Sequence, residues 1–189
     1  MIHSQKFTAV LDACVLYPAP IRDILLSLAS EEMFKVKWSK MIQEEWLRNL
    51  LKNRDDLKKE QLNQTIEAMN SAFPDADVEG FEDLIASIKL PDKDDRHVVA
   101  CAIKCNADAI ITFNIKDFPS KKLSKYDIEI QKPDRLISNL IDVNPYMASK
   151  AFNKMVKRLK NPKKTKIEVL TTLETCGLKE SIDKLKNNC

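Results

Sequence analysis

The stretch LPDKDDRHVVACAI, Leu90 to Ile103, sets Asp92, Asp94 and Asp95 immediately ahead of an apolar helical pattern. A helix N-terminus is satisfied by one acid against its dipole, so a crowd of negative charge there calls for a cation or for a turn. Other acids stand where they could join it. Asp12 ends the apolar run FTAVLDA, and Asp117 follows the run AIIT in TFNIKDF. Asp95 precedes Val99 by four and Ala102 by seven, which puts it on the helix face expected to pack inward. Gathered carboxylates raise one another's pKa unless a divalent cation favours the ionised forms. Oxygen ligands without cysteine or histidine select Mg²⁺ or Mn²⁺ over zinc. Such an ion activates water and neutralises charge building on a phosphoryl oxygen.

Each acid also has a plainer reading. An acid after a strand is often a turn residue, and one at a helix start is usually a cap. Glu44 and Glu45 flank the apolar stripe of their helix on opposite sides, so periodicity leaves open which points inward, and both can pair with Arg48 or Lys52 on the surface. His97 reads as a surface or packing residue rather than a general base, and His3 lies near the terminus. Cys101 and Cys105 lie four apart on a helix but lack the partners of a zinc site.

Strands alternating with helices must position these groups. FTAVLDA, FKVKWS, ADAIITFN and IEIQ read as strands, the continuous apolar runs being those of a parallel sheet. PIRDILLSLASEE, KMIQEEWLRNLLKN capped by Ser39, Asp56 to Phe73, Asp94 to about Cys105 and PDRLISNLID read as helices. A short strand near Val78 and a helix from Phe81 to Ile88 are expected between them. Right-handed crossovers then give a parallel sheet covered on both faces, with ligands bound beyond the carboxyl ends of its strands. Past Asn144 only helices follow, with Thr165 as cap and Gly177 as stop of the second. We therefore expect a domain over residues 1–143 and a helical extension over 144–189.

The chain of 189 residues holds 44% hydrophobic and 31% charged residues and only two glycines, which argues against an all-β or loop-rich protein. A net charge of +3 names no polyanionic partner by itself, but Lys150, Lys154, Lys157, Arg158, Lys160, Lys163, Lys164 and Lys166 follow one another without an acid. Five cysteines fit no disulfide framework, and no stretch has the roughly 18 apolar residues of a membrane span. A cytoplasmic protein is expected.

In order and wording, VLDACVLYPAPIRDILL, WSKMIQEEWLRNLL, LPDKDDRHVVACAI, ADAIITFNIKDFP and IEIQKPDRLI resemble the PIN-domain family, in particular the branch related to bacterial VapC-type toxins. The resemblance implies a three-layer α/β/α fold with a central parallel sheet, followed here by a C-terminal α-helical extension. It implies a Mg²⁺- or Mn²⁺-dependent ribonuclease, neutralised in toxin members by an antitoxin. Carried over, the first acid matches Asp12, the helical glutamate matches Glu45 better than Glu44, and the third acid matches Asp95 with Asp94 beside it. The pattern Thr-x-Asn-x-x-Asp-Phe matches Thr112, Asn114, Asp117 and Phe118, where Asn114, Asp117 or both would serve the metal or its water. Cys14 departs from the Asn or Ser of many relatives, with the expected loss of a polar contact. Asp92 is left to the turn after Pro91.

Hydrolysis of an RNA phosphodiester is the first reading: Asp12, Asp95, Asp94 and Asp117 as metal ligands, Glu45 positioning the metal or its water, and Thr112, Asn114, Glu44 and Arg96 in support. Arg22, Arg48 and Arg96 are near-site cations, and Lys157 and Arg158 lie in a candidate phosphate track on the tail. The alternative is a PIN-fold RNA- or protein-binding module without turnover. A homodimer using apolar residues on the early helices, and an antitoxin blocking the pocket with Arg or Lys, are the expected protein partners.

Overall fold

A computed structural model describes residues 6–188; His3 and Cys189 lie outside the described residues. The strands are β1 (Thr8–Leu11), β2 (Lys35–Lys37), β3 (Ala109–Ile111) and β4 (Glu129–Gln131), and they form one parallel sheet in the order β2-β1-β3-β4. Ala9, Val10, Leu11, Ala109, Ile110 and Ile111 of the two central strands are completely buried, as an apolar run covered on both faces requires. The edge strands β2 and β4 each leave a residue in solvent.

Short α1 (Ala13–Leu16) and long α2 (Ala19–Ser30) link β1 to β2. The helices α3 (Lys40–Asn53), α4 (Lys59–Ala72), α5 (Glu82–Ile85) and α6 (Arg96–Lys104) lead from β2 to β3, and α7 (Ser120–Leu123) stands between β3 and β4. α2 packs on β2, whereas α6 packs on β1 and β3 with α3 and α5 against it. Because β1 connects to one side and β3 to the other, right-handed crossovers place these helices on opposite faces and leave a crevice beyond the carboxyl ends of β1 and β3.

Several expected boundaries move inward. α4 begins at Lys59 rather than Asp56, α6 begins at Arg96 with Asp94 and Asp95 ahead of it, and α5 covers only Glu82–Ile85. The strand expected near Val78 is a single bridge between Trp38 and Asp77. Ser39 does cap α3, its side chain accepting from the Ile42 amide at 3.3 Å.

The carboxyl-terminal part is helical: α8 (Pro133–Val143), α9 (Pro145–Arg158), α10 (Lys166–Thr175) and α11 (Lys179–Asn188). Thr165 and Glu168 form a reciprocal capping box at α10. α9 lies along α2, and α11 along α8. Lys150 and Lys154 of α9 both pair with Glu31, whose side chain is 4% exposed, at the end of α2. One turn of the lysine-rich run is thus spent on docking the tail. The lysine contacts hold the Glu31 carboxyl below its ordinary range. A depressed carboxyl contributes stability above its unfolded value of about 4.5 that is lost as pH falls through the folded one. Glu31→Gln is expected to lower the melting temperature by roughly 2–4 °C at pH 7 and by less at pH 4, measured by circular dichroism.

Candidate active site

At the crevice, Asp12 directly follows β1 and is held by its neighbours in both sequence and space. Its backbone amide donates to the Ile111 carbonyl at 3.1 Å, and its side chain is 2% exposed. The Thr112 hydroxyl donates to Asp12 Oδ2 at 2.7 Å, and the Cys14 thiol donates to the same oxygen at 3.0 Å. Thr112 Oγ1 in turn accepts the Asn114 amide at 2.9 Å, and Cys14 Sγ accepts the Phe113 amide at 3.3 Å. Burial pushes the Asp12 carboxyl above the ordinary carboxylate range, the Glu45 charge adds to this, and the two side-chain donors pull the other way. Burial and the Asp12 charge push the Cys14 thiol up to about 12, so it stays a protonated donor. The polar contact expected to be lost at position 14 is therefore made by sulfur.

A cavity of about 570 Å³ opens there, lined by Glu44, Glu45, Asp92, Asp94, Asp95, Asn114 and Asp117 together with Arg48 and His97. Its acids come from α3, from the segment before α6 and from the 3₁₀ turn after β3. Asp95 is half-buried, and its carboxyl is raised to about 7: burial is the largest cause, followed by the charges of Asp12, Asp92, Asp117 and Glu45. Asp95 therefore feels carboxylates from three other stretches of chain as well as from its own. Glu45 is half-buried and its Oε2 lies 3.1 Å from His97 Nε2, whereas Glu44 is exposed and sits 3.9 Å from Lys40. This partner distinguishes the two glutamates, which periodicity left equivalent. His97, 7% exposed, is a buried packing residue that orients Glu45. Asp92 does make the turn, its Oδ1 accepting the Asp94 amide at 2.8 Å, but it also faces the cavity.

The cations are more dispersed. Arg48 lines the cavity. Arg22 lies over the Trp46 ring at 5.0 Å and donates to the Leu16 carbonyl at 3.0 Å, which places it in the packing behind the site. Arg96 is half-buried with its Nε unpaired. Lys157 lies in a groove on α9 with Tyr146 and Asn153, and Arg158 is close enough to Asp23 for its charge to offset part of the rise that burial imposes on that carboxyl. A larger cavity of about 860 Å³, at the start of β1 and β2, mixes Lys6, Lys35 and Lys37 with Glu32, Asp75 and Asp77 and gathers no comparable set of acids.

Among the described residues, no group of three or more His, Cys, Asp and Glu side chains is close enough to ligate one ion as it stands. The donor chemistry nevertheless fits a hard divalent cation: all-oxygen acids, one of them raised to about 7 by burial and, after it, by the negative charge around it. Ion binding would require the cavity acids to draw closer together. Thr112→Val, which keeps the shape but removes the donor to Asp12, is expected to weaken Mn²⁺ binding about 10- to 100-fold with little change in fold, as read by calorimetric titration.

A model of the PIN domain matches residues 8–116, more than half of the 189-residue chain. The chain belongs to the PIN-domain family. Beyond its PIN domain, residues 133–187 match a model described as the VapC50 C-terminal domain; the match begins at the start of α8, eleven residues ahead of the expected boundary at 144. A curated relative, "Putative ribonuclease VapC50" of Mycobacterium tuberculosis (strain ATCC 25618 / H37Rv), is 39% identical over 64 residues, or 34% of this chain and 37% of the relative. The aligned part thus spans well under half of that protein. No solved structure matches the chain.

Proposed function

We propose that this PIN protein is a divalent-metal-dependent endoribonuclease and the toxin of a toxin-antitoxin pair. The observation that carries the reading is the raised carboxyl of Asp95, surrounded by Asp12, Asp92, Asp117 and Glu45 at the switch point of a parallel sheet. Similarity to a protein named as a ribonuclease supports it. Asp12, Asp95 and Asp117 would hold Mg²⁺ or Mn²⁺, with Asp94 at the rim. When bound, the ion supplies an activated water and charge neutralisation at the scissile phosphate.

The chain's own groups do the rest. Thr112 and Cys14 fix Asp12 through one oxygen, leaving its orientation set before any ligand arrives. Glu45, itself oriented by His97, is placed to accept a proton from water at the cavity floor. Asn114 and Glu44 complete the polar wall, and Arg48 is placed to hold a phosphate entering over it. Lys157 and Arg158 of the tail are proposed as more distant phosphate contacts.

RNA cleavage by the purified protein with Mn²⁺ or Mg²⁺, stopped by chelator and restored by added metal, tests this reading. A PIN-fold binding module without turnover is the second reading, favoured by the distance between the acids as they stand. It predicts RNA retention with no cleavage under any metal.

An antitoxin would insert an Arg or Lys among these acids. No helix of the described residues is long and apolar enough to cross a membrane. With Cys14, Cys101, Cys105 and Cys176 all unpaired, a reducing cytoplasm is proposed as its compartment. Among the described residues, the exposed large apolar ones are Met41 at the acidic cavity and Ile115, Val143, Tyr146 and Ile167 elsewhere, so a homodimer would draw more on the tail than on the early helices.

A further inference from the structure

A second charged surface lies beside the acidic cavity. Lys89, Lys121, Lys122 and Lys125 line a groove of about 400 Å³ with Ser87, Ile88, Leu123 and Tyr126, and no acid is among its lining residues. The lysines are exposed, and among the described residues none of the four forms an ion pair. Elsewhere the chain uses cations internally: Lys150 and Lys154 hold Glu31, Lys186 meets Glu174, and Lys184 meets Asp142. Lys125 alone has a local partner, its Nζ standing 4.6 Å from the centre of the Tyr126 ring.

The groove is tied to the acidic cavity by two stretches of chain. Asp92 lines the cavity and Lys89, three positions earlier, lines the groove. Asp117 lines the cavity, and α7 with Lys121 and Lys122 begins three positions later at Ser120. Three residues span at most about 11 Å, so the two surfaces are neighbours by covalent necessity. Lys93 and Lys116, next in sequence to Asp92 and Asp117, are also exposed. A cluster of mobile ammonium groups over an open groove, without a buried donor, suits a run of phosphates rather than a single anion.

We propose that this groove carries the phosphodiester backbone of single-stranded RNA leaving the acidic cavity, with Lys89, Lys121 and Lys122 as its principal contacts. The inference rests on RNA being the substrate. It gives the strand a path along the β3–α7 side of the domain.

The test uses the full chain carrying Asp95→Asn, with Mg²⁺, and fluorescently labelled single-stranded RNA of mixed sequence read by anisotropy. Adding Lys89→Gln, Lys121→Gln and Lys122→Gln is expected to weaken binding at least about 10-fold at 100 mM salt. The slope of log affinity against log salt should fall by about 2, since each lost single-strand phosphate contact contributes about 0.7. Removing as many exposed lysines elsewhere, by Lys52→Gln, Lys59→Gln and Lys104→Gln, should change affinity less than about 3-fold. Cleavage by the parent together with equal affinity of both triple variants overturns the groove and leaves the hydrolysis reading standing. Parent protein that neither cleaves nor binds RNA overturns both. A groove that retains poly-glutamate more tightly than the RNA belongs to an acidic polypeptide, and this also overturns the proposal.

Discussion

Asp95→Asn is expected to remove RNA cleavage by at least about 100-fold and, in the same protein without metal, to raise the melting temperature at pH 8 by a few degrees. The two effects have one cause. Burial, followed by the charges of Asp12, Asp92, Asp117 and Glu45, raises the Asp95 carboxyl to about 7. Ionised at pH 8 without a cation, it works against the fold. An amide of the same shape removes both the buried charge and its repulsion; allowing for solvent around a half-buried group, the gain is about 1–2 kcal/mol. The loss of activity follows because removing a direct ligand exceeds the 10- to 100-fold typical of its supporting partners. A residue retained only for stability would show the opposite sign. Asp94→Asn, at an exposed position, should leave the melting temperature unchanged. Thermal melts in chelator, alongside cleavage assays with Mn²⁺, check both halves.

The second large effect is the dependence of metal stabilisation on pH. Asp95 titrates in the fold at about 7 against 3.8 for an unconstrained aspartate, and Asp12 is shifted in the same direction by burial. A carboxyl raised on folding stabilises the protein fully below its unfolded value and loses that contribution as pH rises through the folded one. Metal-free protein should therefore become less stable between about pH 4 and pH 8. Mg²⁺ or Mn²⁺ competes with the proton on these acids, so added metal should raise the melting temperature strongly at pH 8 and little at pH 5.5. Scanning calorimetry with chelator and with millimolar Mg²⁺ at both pH values measures this. A metal shift that is equal at both pH values would mean that the ion binds elsewhere.

Much of this site was legible in the amino-acid sequence because strand ends and helix starts carry local signals. Asp12 and Asp117 close apolar runs, and Ser39 and Thr165 are caps by residue type and offset. What escaped was decided by contacts distant in sequence. Glu45 differs from Glu44 through His97, 52 positions away, and Thr112 reaches Asp12 across 100. At Cys14 the residue type implies a lost polar contact, yet the low-acidity thiol donates where a hydroxyl or amide would. α1 and α7, four residues each, are too short for a helical period to declare itself. The strand expected over ADAIITFN is regular only over Ala109–Ile111, although the flanking backbone still bonds to its neighbours, the Asp108 amide donating to the Thr8 carbonyl and the Thr112 amide to the Gln131 carbonyl, both at 2.9 Å. The basic groove on α7 was missed because Lys89 joins Lys121, Lys122 and Lys125 only in the folded chain.

Manganese titration followed by electron paramagnetic resonance at pH 8 addresses the shared-cation site most directly, with the parent protein beside Asp12→Asn, Asp95→Asn and Asp117→Asn. The account predicts saturable Mn²⁺ binding in the parent and a loss of at least about 10-fold in affinity in every single variant, since acids from separate segments hold the same ion. Parental affinity in all three variants, or no saturable binding in the parent, would contradict it.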